Sequence, residues 1–381
     1  MRDYLNEQAK TRFLFPIDGD YLNDRDGTAK RNTIEISVAV TSAPNCEIRV
    51  NGALAIEENG IYRATVCVSE DGTVLCAKNL TDRTEASVWT CYLPNATKKY
   101  RISSDDNLLF LADITENKDV YASIFENPYL AVYKKAHDLY DAKVHLNLFY
   151  DFDRAAAKCF RSERADFNLS MVTDKFKSEW QVNADWLQLS FHSRREMPDK
   201  PYQFAAPEEI VRDFLDVKRE VLRFAGEECF STDVTTIHYG EATEDGVAAL
   251  RDLGHKVLAG YFEITDKGLP LVAYYAPIPL IEHVGERDFW RDTEIGIDFA
   301  RIDRVTNEGA FPKVMADIQS IIDHPHRGGF VSFMIHEQYF YKDYKAHLSD
   351  FEARVLEPAR LLWENGYRGS FLKELLPIKQ A

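Results

Sequence analysis

Residues 99–114, KYRISSDDNLLFLADI, mark the point at which the sequence changes from one pattern to another. Before this stretch, short β-branched runs are separated by turn signals such as VNG, ENG and EDG, which is typical of antiparallel strands. After it, apolar runs alternate with segments whose apolar residues lie three and four positions apart, as in amphipathic helices. Alternating strands and helices predict an α/β fold for residues 99–381.

The carboxy-terminal pattern favours an incomplete or distorted (β/α) barrel of roughly six or seven strand–helix units. The predicted buried strands are NLLFLADI, KVHLNLFY, WLQLSF, VTTIHYG, KVLAGYF, LVAYY and GFVSFMIH. The predicted helices are YLAVYKKAHDLYD, PEEIVRDFLDVKREVLRFAG, EDGVAALRDLG, FPKVMADIQSIID and SDFEARVLEPARLLWENG. In such barrels the reactive side chains lie just beyond the carboxyl ends of the strands, so polar residues at those positions are the candidates for function.

Residues 31–98 contain the short runs IEISVAV, CEIRV, GIYRATVCV, GTVLCAKN and ASVWTCYL. Closely spaced strands with no helical period between them predict a small all-β sandwich of immunoglobulin-like type. Residues 1–30 are polar and turn-rich, and we expect them to form an N-terminal extension. The predicted order is therefore extension, sandwich and barrel.

The composition argues against some classes of partner. The 381 residues carry 46 basic and 62 acidic side chains, and a surface with a formal net charge of −16 repels nucleic acid and anionic membranes. The sequence has no run of about 18 apolar residues and no signal-like amino terminus, so a cytoplasmic location is expected. The six cysteines form no Cys-x-x-Cys pair, and several stand in strand-like runs, which favours free thiols over disulfides.

Two pairs of polar residues follow predicted strands. Asp105 and Asp106 come after the run YRISS, and adjacent carboxylates repel one another unless a cation holds them together. His192 ends the run WLQLSFH, and Glu196 follows four residues later, a spacing that places both side chains on one side of a helical turn. Histidine and carboxylates are ligands for zinc or another first-row divalent ion. Taken alone, an aspartate pair is more often a solvated turn, and Glu196 pairs as readily with a neighbouring arginine.

Two further histidines stand at the ends of predicted strands. His238 lies in VTTIHYG, and His336 ends GFVSFMIH and precedes Glu337. A single histidine at a strand end is more often structural than catalytic. However, the chain has only ten histidines, and three of them occupy such positions: His192, His238 and His336. This clustering indicates a shared site at one end of the barrel.

The order of the segments SSDDN, HSRRE, IHYG and FMIHE resembles that of the polysaccharide deacetylase family, the nodulation-type carbohydrate esterases. The resemblance covers about residues 99–340. It implies that Asp105 is the general base and His336 the general acid. It also implies that Asp106, His192 and Glu196 bind the metal.

The sequence departs from the family pattern at several positions. Glu196 stands where the family has His or sometimes Asp, and Asn107 replaces a glycine. Thr236 occupies the position of an arginine that orients and tunes the base in the family. We expect His238 to fill part of this gap, as an additional ligand or as a catalytic proton carrier.

The resemblance implies a metal-dependent hydrolase that removes acetyl groups from a carbohydrate, and we expect Tyr239, Tyr261 and Glu337 to contact the substrate. Zinc is the expected metal, and cobalt, nickel and manganese are the alternatives. The expected partner is a carbohydrate, with neither nucleic acid nor a membrane involved. Two other interpretations stay open: a degenerate, non-catalytic carbohydrate-binding module on the same fold, and another metal-dependent barrel reaction. The sequence predicts no oligomeric state.

Overall fold

The amino-terminal part of the chain consists of short β-strands in a computed structural model, which describes residues 4–152, 157–232 and 234–376. The strands are β1 (Arg12–Phe15), β2 (Asp20–Leu22), β3 (Thr28–Lys30), β4 (Thr33–Thr41), β5 (Ile48–Val50), β6 (Ala53–Leu54), β7 (Ile56–Glu58), β8 (Ile61–Ser69), β9 (Thr73–Asn79) and β10 (Glu85–Tyr92). Residues 12–30, which fall within the predicted N-terminal extension, thus contribute β1, β2 and β3.

From residue 99 onward, strands and helices alternate. The strands are β11 (Lys99–Asn107), β12 (Val144–Phe149), β13 (Asp151–Phe152), β14 (Phe167–Asn168), β15 (Leu187–Ser193), β16 (Val234–Thr235), β17 (Val257–Gly260), β18 (Glu263–Ile264), β19 (Pro270–Leu271), β20 (Phe289–Asp292), β21 (Ile297–Arg301), β22 (Arg304–Val305), β23 (Phe330–His336) and β24 (Arg368–Gly369). The described helices are α1 (Leu109–Glu116), α2 (Pro128–Tyr140), α3 (Lys177–Val182), α4 (Pro207–Phe224), α5 (Glu244–Asp252), α6 (Ile278–Val284), α7 (Phe311–Ile322) and α8 (Phe351–Glu364). The mixed α/β class predicted from the sequence is confirmed.

Two β layers share one hydrophobic core in the amino-terminal part. The first layer has the order β1–β4–β8–β7, with β3 paired to β4, and the second contains β10–β9–β5–β6. Along β8, buried residues alternate with exposed ones, as expected for a strand with one face on a core. The immunoglobulin-like type of this sandwich stays a prediction.

The second layer does not end at β10. It continues through β2 and β20 into the carboxy-terminal part, giving a nine-stranded sheet of order β16–β17–β21–β20–β2–β10–β9–β5–β6. Strand β2 is parallel to β10 and antiparallel to β20. The link is reinforced by the Tyr21 hydroxyl, which donates to Asp298 at 2.9 Å. One hydrogen-bonded sheet therefore spans the predicted boundary at residue 98.

Parallel strands form the framework of the carboxy-terminal part. One sheet has the order β15–β12–β11–β23–β22, and β16–β17–β21 form a second parallel group. The groups approach each other at a bridge between Leu189 and Phe230, and at the bond from the Asp303 N–H, just after β21, to the Ser332 carbonyl of β23. Among the described residues the strands form separate sheets rather than one continuous ring, and the incomplete barrel expected from the sequence stays a prediction.

Two of the predicted strands are wrong. NLLFLADI forms α1 rather than a strand, because a continuous apolar run fits a buried helix as well as a buried strand. The true strand of this region is β11, KYRISSDDN. In LVAYY, only Leu271 belongs to a strand, β19, and the chain then turns through positive φ angles at Val272 and Tyr274.

Two whole-chain expectations concern the cysteines and the membrane. All six cysteines are free thiols, as favoured from the sequence, and Cys67 is exposed while Cys91 and Cys229 are buried. Across the described ranges, none of the helices combines the length and the apolar character needed to cross a lipid bilayer.

Burial of His255 predicts a stability that depends on pH. The imidazole is 1% exposed and packs edge-on against Phe214 at 4.8 Å, and burial lowers its pKa to about 3. Because the unfolded chain binds the proton near pH 6.5, stability is lost as pH falls from about 6.5 towards 3. We expect His255→Phe to remove about 3 kcal/mol of the loss between pH 8 and pH 4. Urea unfolding of both proteins at the two pH values measures this, and equal losses would contradict it.

Candidate metal centre

The polar side chains of the site come from the inward faces of the parallel strands. In β15, Leu187, Leu189 and Phe191 belong to the hydrophobic core, so the intervening Gln188, Ser190 and His192 lie on the opposite face. Strands β11 and β12 show the same alternation, with Arg101, Ser103 and Asp105 in the first and His145 and Asn147 in the second. The last inward residues before the strands end include Asp105 and His192.

Asp106 reaches the same space because β11 is irregular at its end. The pairing of β11 with β12 shifts register between Ser104 and Asn107, and Asp106 has a φ of 63°. In a regular strand, neighbouring side chains point to opposite faces. The irregularity instead lets both Asp105 and Asp106 line one cavity of about 390 Å³.

Asp106, His192 and His238 converge at the carboxyl ends of the strands. His192 lies in β15, and His238 begins a short turn after β16. The Asp106 Oδ1 atom is 3.1 Å from His192 Nε2 and 3.5 Å from His238 Nδ1. The two imidazole nitrogens are themselves 3.1 Å apart. All three side chains are buried, with exposed fractions between 2% and 7%.

The outer nitrogens of both imidazoles are held by backbone carbonyls. His192 Nδ1 contacts the carbonyl of Thr236, and His238 Nε2 lies 3.0 Å from the carbonyl of Glu196. Since a carbonyl only accepts hydrogen bonds, each outer nitrogen carries the hydrogen and each inner nitrogen of the neutral ring presents a lone pair. Two lone pairs and a carboxylate oxygen then face one point, which is the donor set of a divalent metal ion with oriented histidine ligands.

The charges around this point favour a cation. Burial acts to raise the pKa of Asp106, but His336, His192 and His238 together lower it below its usual value. Burial also opposes protonation of His192, yet the nearby Asp105 and Asp106 raise its pKa overall. For His238, burial prevails and lowers the pKa to about 4, so its inner nitrogen keeps a free lone pair at neutral pH.

Glu196, predicted as a metal ligand, also lines the cavity. Among the described residues, the group whose ligand atoms lie within 4.8 Å of one another comprises Asp106, His192 and His238. Burial and the charge of Asp106 raise the pKa of Glu196 to about 8, which weakens it as an anionic ligand at neutral pH. The alternative expectation was an ion pair between Glu196 and a neighbouring arginine. Arg194 and Arg195 both contact the carboxylate of Asp151 instead, at 3.0 Å.

Asp105, predicted as the general base, lines the same cavity as Asp106, His192 and His238. The residue is 2% exposed, and Asn147 donates to its Oδ1 at 2.6 Å. Arg101 stands four residues earlier on the same face of β11. Burial lowers the pKa of this guanidinium to about 10, and the charge of Asp105 partly opposes that change. A buried cation thus neighbours Asp105, although Thr236 replaces the expected arginine.

His336, predicted as the general acid, opens onto the same cavity. Its Nε2 is 4.0 Å from Asp106 Oδ2, and its Nδ1 is 2.9 Å from the side-chain oxygen of Asn307. That oxygen also accepts the backbone N–H of His336, so it fixes the ring and places the hydrogen on Nδ1. Gln338 donates to Asp106 Oδ2 at 2.7 Å and so holds this carboxylate from its other side.

The three predicted substrate contacts lie in different surroundings. Tyr239 and Tyr261 both line the cavity, and the Tyr239 hydroxyl donates to Asp199 at 2.9 Å. Glu337 instead points away from it and is fully buried. Its carboxylate accepts the backbone N–H groups of Leu108, Leu109 and Phe110 at the start of α1 and the hydroxyl of Tyr341. Glu337 therefore has a structural environment rather than one that faces a substrate.

Sequence reasoning missed Asn147, Asn307 and Gln338. A signal existed for Asn147, because it is polar within the apolar run KVHLNLFY. Gln338 follows His336 closely, but its contact with Asp106 joins positions that are 232 residues apart. Asn307 lies in a loop, and its pairing with His336 depends on the adjacency of β22 and β23.

Comparisons with known proteins give weak similarities only. No family model matches the chain, and no curated protein matches it. Among solved structures, a CE4 family pseudoenzyme from Bacillus anthracis is 12% identical, covering 76% of this chain and 69% of its own, with a TM-score of 0.34. A Streptococcus mutans CE4 esterase is 12% identical, with coverages of 72% and 86% and a TM-score of 0.33. The 4-alpha-glucanotransferase from Thermococcus litoralis is 9% identical, with coverages of 73% and 40% and a TM-score of 0.42. Similarities of this size establish neither a shared fold nor a shared function.

Proposed function

We propose that this protein is a divalent-metal-dependent hydrolase that removes acetyl groups from a carbohydrate, with Asp106, His192 and His238 as the metal ligands. The observation that carries the proposal is the convergence of two imidazole lone pairs and one carboxylate oxygen beside Asp105 and His336. The ligand set suits zinc and other first-row divalent ions. It differs from the set predicted from the sequence by the exchange of Glu196 for His238.

The residues around the ligands have the roles that hydrolysis requires. A divalent ion bound there would lower the pKa of a water molecule and polarise the acetyl carbonyl. Asp105, held by Asn147, takes a proton from the attacking water. His336, whose Nδ1 hydrogen is committed to Asn307, is able to deliver a proton from Nε2 to the departing amine or alkoxide.

The cavity supports a carbohydrate as the substrate. Its wall combines carboxylates, amides and histidines with the rings of Tyr239, Tyr261, Tyr339 and Tyr344. Polar groups suit a molecule with many hydroxyls, while aromatic rings suit the apolar faces of a sugar. The motif order SSDDN, HSRRE, IHYG and FMIHE adds the resemblance to carbohydrate esterases.

Asp105→Asn tests the proposal. The amide keeps the shape of the side chain but does not accept a proton, so we expect acetate release from acetylated oligosaccharides to fall by roughly 10³-fold. Metal content, measured by mass spectrometry, should stay unchanged. Asp138→Asn, a surface aspartate paired with Lys134 in α2, is the matched control and should keep full activity. Failure of the wild-type protein to bind zinc, cobalt or nickel, or to release acetate with any of them, would overturn the proposal.

A further inference from the structure

Tyr261 has a hydroxyl group that the fold does not use. The residue directly follows β17, and its partly buried side chain lines the cavity of about 390 Å³ that also contains Asp106, His192 and His238. Within the described part of the chain its Oη makes no hydrogen bond, yet this oxygen keeps some accessible surface. The hydroxyl of a buried tyrosine usually finds a partner. A bound substrate would supply the acceptor that the protein itself does not provide.

The backbone of Tyr261 is tied to the turn that carries His238. The Val272 carbonyl accepts the Tyr261 N–H at 2.9 Å, and two residues later the Tyr274 N–H donates to the Gly240 carbonyl at 2.6 Å. Gly240 ends the turn that begins at His238, and a Cβ atom on Gly240 would lie only 2.3 Å from the Val272 side chain. One segment therefore braces both Tyr261 and the His238 turn, on the same side of the cavity.

We propose that the Tyr261 hydroxyl donates a hydrogen bond to the carbonyl oxygen of the acetyl group under attack. Negative charge develops on this oxygen as water adds to the carbonyl, so the bond is strongest in the tetrahedral intermediate. The phenol keeps its proton throughout and only donates. Tyr261 is then a catalytic residue beside Asp105 and His336. This inference rests on the proposed function.

The wall of the cavity explains why a neutral donor is needed there. Asp105, Asp106 and Glu308 line the cavity together with Tyr261. Ionised carboxylates repel a negative charge that forms close to them, and a directed O–H group offsets part of this repulsion. Burial, Asp105 and Glu308 also raise the pKa of Tyr261 well above its usual value. The phenol therefore stays protonated at neutral pH and is able to donate.

Tyr261 differs from the other tyrosines of the wall. The hydroxyl of Tyr239 already donates to an aspartate at 2.9 Å. Tyr339 and Tyr344 pack against each other with ring centroids 5.2 Å apart, and the Tyr339 ring is 6.2 Å from that of His336. They therefore lie on the side of the proposed acid, where the leaving group departs. The hydroxyl of Tyr261 is left to face the oxygen of the reacting carbonyl.

Tyr261→Phe tests the inference because it removes only the hydroxyl oxygen. We expect kcat for acetate release from acetylated oligosaccharides to fall by roughly 100-fold, with KM within about threefold of the wild-type value. Affinity for an analogue with a phosphonate in place of the acetyl group, a tetrahedral anion like the intermediate, should fall by a similar factor. Affinity for the deacetylated product should stay unchanged.

The melting temperature separates this role from a structural one. It should not fall in Tyr261→Phe, because the hydroxyl has no hydrogen bond to lose among the described residues. Tyr121→Phe is the matched control, since its hydroxyl donates to Asp113 at 2.9 Å away from the cavity, and it should keep full activity.

Four outcomes would overturn the inference. These are an unchanged kcat, a rise in KM alone, an unchanged affinity for the phosphonate, and an equal loss of affinity for phosphonate and product. If Tyr261→Phe folds poorly, the ratio of its two affinities, measured by calorimetry, still decides, because that ratio does not depend on the amount of folded protein. Failure of the proposed function would show separately, as a wild-type protein that releases no acetate with zinc, cobalt or nickel.

Discussion

Replacing His238 with alanine is expected to lower the affinity of the protein for zinc by more than roughly 100-fold. The reason is that His238 Nδ1 is one of three ligand atoms at a common point, and alanine leaves only Asp106 and His192. Two ligands from the protein hold a divalent ion far less tightly than three. The measurement is the metal retained after dialysis against a competing chelator, determined by mass spectrometry, with the melting temperature as a check of folding.

Glu196→Gln is the companion to this experiment. The structure excludes the Glu196 carboxylate from the group of converging atoms, so this variant should keep its metal within about threefold of the wild-type affinity. The two variants together distinguish the proposed ligand set, Asp106, His192 and His238, from the set implied by the sequence. Retention of zinc by His238→Ala, combined with its loss from Glu196→Gln, would favour the ligand set implied by the sequence.

Glu337→Gln is expected to destabilise the protein by about 3 kcal/mol. The buried carboxylate accepts four hydrogen bonds, at 2.6, 3.0 and 2.6 Å from the first N–H groups of α1 and at 2.7 Å from Tyr341. An amide presents its own N–H₂ to some of these donors, which leaves them unsatisfied, and it removes the negative charge at the start of the helix. Burial raises the pKa of Glu337 to about 7, so urea unfolding is best measured above pH 8, where the carboxylate is ionised.

Two controls accompany the Glu337 variant. Tyr341→Phe removes only one of the four hydrogen bonds and should cost about 1 kcal/mol. Glu364→Gln changes an exposed glutamate that pairs with Arg360 in α8, and should alter stability by less than about 0.5 kcal/mol. A Glu337→Gln protein as stable as the Glu364→Gln protein would show that the carboxylate is dispensable for α1.

Much of the site could be predicted because strand ends carry a simple signal. His192 and Asp105 are polar residues at the ends of strands, and parallel strands bring their carboxyl ends to one edge. His238 entered the predictions only as an additional ligand or proton carrier, because one sequence does not show how a turn directs a side chain. The choice of Glu196 assumed a helical turn after WLQLSF. Instead β15 runs on to Ser193, and it is the backbone carbonyl of Glu196 that contacts His238 Nε2.

The errors in the fold have physical causes as well. The run NLLFLADI is apolar without a clear period, and the contact that fixes it as a helix comes from Glu337, more than 200 residues away. The hairpin of β20 and β21 was not predicted, although its residues FWRDTEIGIDFAR carry strand and turn signals. Strand β2 was missed because its three residues, Asp20–Leu22, are too few for a periodicity.

The nine-stranded sheet limits how the gene can be divided. A fragment beginning at Lys99 would lose β2 and β10 from the middle of that sheet and expose the edge of β20. The fragment would also lose two ion-pair partners of buried or partly buried side chains. His283 contacts Asp20 at 2.7 Å, and Arg287 contacts Asp26 at 2.7 Å. The first 98 residues therefore cannot be exchanged as a separate domain without breaking the nine-stranded sheet. Expression trials and chimeras therefore have to keep these residues together with the carboxy-terminal strands and helices that share the sheet with them.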